Sequence, residues 1–162
     1  MNLSNLSNVL DTKDDRLLFA QRGVFAAIMF PHGAQHALGW FGGYGFGGTF
    51  GWMTGTLGIP APFAAVAIVT EIVAPLFLLA GLGGRLASAS LAAILAVAAT
   101  THAANGFFMN WVGANAGEGF EYHLIAVALA ASIVVRGSGA FSLDRILGAR
   151  LAARRGFIRA EA

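Results

Sequence analysis

The sequence predicts an all-α protein, an integral membrane four-helix bundle with a cytoplasmic interfacial C-terminal helix. Three observations lead there. Of 162 residues, 57% are hydrophobic and only 11% charged, whereas about a quarter of an average soluble domain is charged; mean hydropathy is +0.69. Apolar runs of about 20 residues recur, each long enough to cross a hydrocarbon core of ~30 Å. Lys and Arg collect at the ends of those runs that alternate hairpins bring to one side. The length suits a single unit, divided into a lead-in (1–16), a transmembrane domain (17–136) and a basic amphipathic tail (137–162).

Residues 1–15 are polar and of mixed charge, with no sustained apolar face. The first span runs from Leu17 to about Leu38, interrupted by Gln21, Arg22, His32 and His36, with Pro31 removing one intrahelical hydrogen bond. It is expected to be a retained span, the competing reading being a cleaved signal peptide. Gly39 to Pro60 has no charge and many Gly and aromatic residues, and reads as an interfacial loop. Gly43, Gly45 and Gly48 in it match GxGxxG, but no strand leads in and no acidic residue follows at the required distance, so no dinucleotide site is expected.

The second span, about Pro62 to Leu82, is apolar apart from Thr70 and Glu71. The third, Leu86 to about Ala103, carries Ser88, Ala92, Ala96 and Thr100 at four-residue spacing, a ridge suited to close helix contact. His102 closes it. A second aromatic loop, Ala104 to Gly119, leads to the fourth span, which opens with Glu121, Tyr122 and His123 and ends at Val135. Beyond it Ser142 is placed to cap a helix with Leu143, Ile146, Leu147 and Leu151 opposite Arg145, Arg150, Arg154 and Arg155. Such a helix is expected to lie on anionic membrane lipid.

The two aromatic loops hold no Lys or Arg, so both termini are expected on the cytoplasmic side of a bacterial cytoplasmic (inner) membrane. Ten Lys and Arg residues are accounted for by this topology, and no nucleic-acid partner is expected. The absence of cysteine excludes disulfides, iron–sulfur clusters, Cys-ligated zinc and thiol nucleophiles.

Depth along the spans, at ~1.5 Å per residue, brings His32, His36, His102, His123 and Glu121 to the outer third of the bundle. Ionisable groups at membrane depth face a bundle interior or a water-filled cavity, so these five are candidates for one polar pocket. His32 and His36 share a helix face. The bland alternative is a set of separately satisfied interfacial histidines. Glu71 is too deep to reach water, and its candidate partners are Arg22 from below, as a buried ion pair, and the histidines from above.

HGAQHALGWFGG in the first span, Glu71 followed by LLAGLGGRLAS, HAANGFF, GFEYHL and GSGAFSLD together resemble the DoxX family of small four-span membrane proteins. The resemblance covers roughly Leu17 to Arg145 and implies His32, Glu71, Arg85, His102 and Glu121 as motif positions. It departs at His36, where family members more often resemble HGxxK. Some members are described as subunits of membrane redox complexes, including thiosulfate:quinone oxidoreductase. The resemblance thus implies a quinone-reactive or redox-accessory subunit, in which histidines hydrogen-bond a quinone head group. The alternatives are a non-catalytic subunit of a larger membrane complex or homo-oligomer, and a His/Glu metal site.

Overall fold

The computed structural model describes residues 10–160, with side chains as far as residue 153. Residues 1–9 of the lead-in, and the side chains of Arg154 and Arg155, lie outside the described residues. Among the described residues six helices follow in order: α1 (Arg16–Leu38), α2 (Gly45–Gly55), α3 (Ala61–Ala80), α4 (Gly84–His102), α5 (Glu121–Arg136) and α6 (Leu143–Ala160). Single turns of 3-10 helix follow α1, at Trp40–Gly42, and α4, at Ala103–Asn105. No strand is present among the described residues.

α1, α3, α4 and α5 form the bundle. α1 packs chiefly on α3 and α4 on α5, and α3–α4 and α1–α5 contacts close the ring. The interior is filled by Phe25, Met29, Leu78, Leu91, Leu95 and Ile133 with small residues such as Ala26, Ala74, Ala126 and Ala130. The outer faces are equally apolar, with Val24 and Ile28, Val66 and Val73, Leu86 and Val97, and Leu124 and Ile125 exposed on the four helices in turn. An exterior of this kind suits lipid rather than water. α3 and the run Gly84–Asn105 are long and apolar enough to cross a membrane by themselves. α5 has only 16 residues, and α1 carries Arg16, Gln21 and Arg22.

Two expectations need correction. The stretch Gly39–Pro60 is not all loop, because α2 occupies its middle and lies against α1 and α3. Glycine-rich sequence disfavours helix in water, but an uncharged segment at the edge of hydrocarbon must satisfy its own backbone groups, and Thr49 and Met53, one turn apart, bury its inner face. On α4 only the first half of the expected ridge packs: Ser88 is buried and Ala92 lies against the core, whereas Ala96 and Thr100 are exposed and Leu91 and Leu95 supply the larger buried side chains.

α1 and α3 meet backbone to backbone at Gly33. A Cβ there would lie 2.1 Å from the Glu71 carbonyl oxygen, so only glycine allows the approach. Pro75, inside α3, has no N–H to give that same carbonyl four residues earlier. The crossing therefore sets Glu71 level with the turn of α1 that runs from Gly33 to His36.

Candidate ligand-binding cavity

His36 and Glu71 meet as a direct consequence of that crossing. Nδ1 of His36 lies 2.6 Å from Oε2 of Glu71. Glu71 is nearly buried, with 8% of its side chain accessible, whereas His36 is half-buried at 34%. The carboxylate is thus held from inside, and the imidazole presents its remaining edge to open space.

That space is a cavity of about 390 Å³ between α2, α3 and α4, with His36 of α1, Glu71 of α3 and His102 of α4 as its principal polar groups. Its walls are apolar, from Trp52 and Met53 on α2, Leu57 and Ile59 on the connection, Phe63 and Ala67 on α3, and Ile94 and Val97 on α4. Trp52, Phe63 and Val97 are themselves substantially exposed on the outside of the bundle. A polar end and a long apolar flank suit a lipid-soluble molecule with a polar head.

The other predicted site residues stand beside this cavity and do not line it. His123 is buried behind His102, with ring centroids 4.8 Å apart. Its Nδ1 has no hydrogen-bond partner among the described residues. Tyr122 lies 5.7 Å from His123 and 6.1 Å from His32, ring to ring, and its hydroxyl approaches the sulfur of Met29. The four histidines therefore gather at one end of the bundle, but only His36 and His102 reach the cavity. Glu121 is engaged elsewhere, since its carboxylate accepts from the backbone N–H of Met109 and ties the loop down. Among the described residues no three His, Asp or Glu side chains come together as a metal-ligand set.

The expected Arg22–Glu71 ion pair is not formed. Arg22 is buried, but its guanidinium donates to four carbonyls, those of Leu78 and Leu79 at the end of α3 and those of Ala140 and Phe141 beyond α5. The physical reason is register. With Gly33 opposite Glu71, Arg22 falls opposite the last turn of α3, where unpaired carbonyls attract a cation. Glu71 lies ~10 Å further along the helix and takes its partner from the histidines.

Sequence reasoning missed the aromatic and aliphatic walls supplied by α2 and its connection to α3. The available signal was the i, i+4 pair Thr49 and Met53, whose spacing marks one helix face.

The DoxX family model matches residues 17–104, from the start of α1 through the last turn of α4. No curated protein and no solved structure matches the chain. The matched segment contains the Gly33–Glu71 crossing, both cavity histidines and more than half of the sequence, and the chain belongs to the DoxX family of membrane proteins.

Proposed function

We propose that this DoxX protein is a redox-accessory subunit whose cavity holds the head group of a membrane quinone. The observation that carries the reading is the cavity itself, with apolar walls ending at His36, Glu71 and His102. A quinone supplies a carrier of two electrons and two protons that dissolves in the bilayer. Its oxygens need hydrogen-bond partners where it docks, and its ring needs apolar faces. His36 and His102 are the partners, and Trp52, Met53 and Phe63 are the faces.

In this reading all four bundle helices cross a bacterial inner membrane, with both termini in the cytoplasm. Support comes from Arg16, Arg22, Arg85 and Arg136, which all belong to one end of the bundle. α6 then lies along the inner leaflet, with Leu143, Ile146 and Leu147 exposed for the acyl region. A second reading, a packing subunit of a larger complex, is favoured by Tyr44, Trp111 and Val112, each more than four-fifths exposed at the opposite end.

Calorimetric titration of the purified chain in detergent with decylubiquinol, the hydroxyl-bearing form of a membrane quinone, tests the first reading. Saturable binding is expected, weakened about tenfold or more by His36→Ala and by His102→Ala, because each removes a hydrogen bond worth roughly 1–3 kcal/mol. His32→Ala, outside the cavity, leaves the affinity unchanged. No binding, or equal loss in all three variants, rejects the quinone site. A stoichiometric protein partner recovered from native membranes then supports the second reading.

A further inference from the structure

Resting on the cavity reading above, we propose that His102 is a proton acceptor for a membrane-soluble ligand bearing an aromatic hydroxyl, a hydroquinone or phenol, and that His123 takes the proton on from it. The cavity is selective for the hydroxyl form of its ligand.

The hydrogen-bond pattern around His102 assigns its tautomer. Nδ1 lies 3.0 Å from the backbone carbonyl oxygen of Glu118. A carbonyl only accepts, so Nδ1 carries the hydrogen, and in the neutral ring Nε2 is left with the lone pair. The same carbonyl also accepts from Asn105 Nδ2 at 3.0 Å, which fixes the loop that fixes the ring. His102 is therefore locked as a base on the Nε2 side while belonging to the cavity wall.

His36 differs. Its Nδ1 lies against the Glu71 carboxylate, so this ring is held by a side chain of another helix rather than by a loop carbonyl.

An independent observation lies behind His102. His123 is 7% exposed, its ring stands 4.8 Å from that of His102, and its Nδ1 is buried without a partner. A buried orphan nitrogen is costly in a purely structural role. It is accounted for as the next proton site. The groups facing it are His102 from α4 and, by way of Tyr122 on its own helix, His32 from α1. Glu121 is held by the Met109 N–H and takes no part.

The step balances without redox change. The ligand O–H bond breaks with its electron pair left on oxygen, and the proton bonds to Nε2 of His102, giving an imidazolium beside a phenolate. The two rings share no hydrogen bond at rest, so the proton bonds to Nδ1 of His123 once the rings turn towards each other, and His102 returns to the neutral ring.

A long-chain 4-nitrophenol and its methyl ether, added to the purified full chain in detergent, test this. The pair differs only in the hydroxyl, and the phenolate has its own absorption band. The phenol is expected to bind about tenfold tighter than the ether. It should also show the phenolate band at a pH where the same probe in protein-free micelles does not. His102→Gln, whose amide oxygen still accepts a hydrogen bond but is no base, removes the phenolate band while ether binding persists, and His123→Phe shifts the pH profile of the band. Equal affinity for phenol and ether in the wild-type chain overturns the proposal whether or not the variants fold, as does a phenolate band that survives in His102→Gln. If decylubiquinol still binds in that case, the quinone site stands and only the proton-accepting role falls. If none of the three probes binds, both fall.

Discussion

At Gly33 a missing Cβ decides which charged groups can meet. Helix α1 rests on the Glu71 carbonyl there, and the antiparallel register that follows gives Glu71 to His36 and gives Arg22 to the carbonyls ending α3. Gly33→Ala would drive a methyl group into backbone that has no room to move. A loss of about 1–3 kcal/mol is expected, seen as a lower melting temperature in detergent together with weakened His36–Glu71 coupling in a double-mutant cycle. An unchanged melt would mean that the helices do not cross at this residue. Arg22→Met is expected to cost roughly 2–4 kcal/mol, because several buried carbonyls lose their donor at once, whereas Glu71→Gln in the Arg22→Met background should add its full separate effect. Strong non-additivity between those two positions would restore the ion pair that the coordinates deny. That Arg22 and Glu71 needed partners was legible from their depth in apolar sequence. Which partners they take was not, because it depends on a contact between helices 38 residues apart in the chain, at Gly33 and Glu71, that leaves no local pattern.

Among the elements, α2 shows how little propensity counts beside packing. It contains Gly45, Gly47, Gly48, Gly51 and Gly55 and still forms a helix, because its Thr49 and Met53 face has α1 and α3 to rest on. Gly47 and Gly51 have open space where a Cβ would go. Gly47→Ala and Gly51→Ala should therefore stabilise the protein, by about 0.5–1 kcal/mol each, with an upward shift in the detergent melt. A downward shift would mean that α2 must unwind, or must lie against another molecule. Gly48 is the internal control, since a Cβ there meets the Tyr44 side chain at 2.7 Å and alanine should give no gain. α3 and α4 were readable as long apolar helices because apolar length is a local property. α2 was not, since glycine and aromatic content is shared by interfacial loops and by helices that other helices hold in place.

For the whole molecule, one end of the bundle holds the arginines of its four helices and the other holds the histidines. At the charged end each helix terminus meets a group of the matching sign. Asp15 accepts from the Leu17 and Leu18 N–H groups at the start of α1, and Asp144 from those of Gly83 and Gly84 at the start of α4. Arg22 caps the end of α3, and Arg85 donates to Val134 and Val135 at the end of α5. Charges of these signs are the ones that helix dipoles favour. The same residues from which the topology is proposed thus also tie the four helices and the start of α6 together. This gives the topological prediction a structural edge. If four helices cross with this end inward, a fluorescent protein fused after Ala162 should fold and fluoresce in the cytoplasm. Alkaline phosphatase inserted at Gly113, in the loop between α4 and α5, should be active outside it. Alkaline phosphatase activity at either terminus would show that the number of crossings is odd or the orientation reversed. The charged end would then be a scaffold of helix caps with no bearing on the direction of insertion.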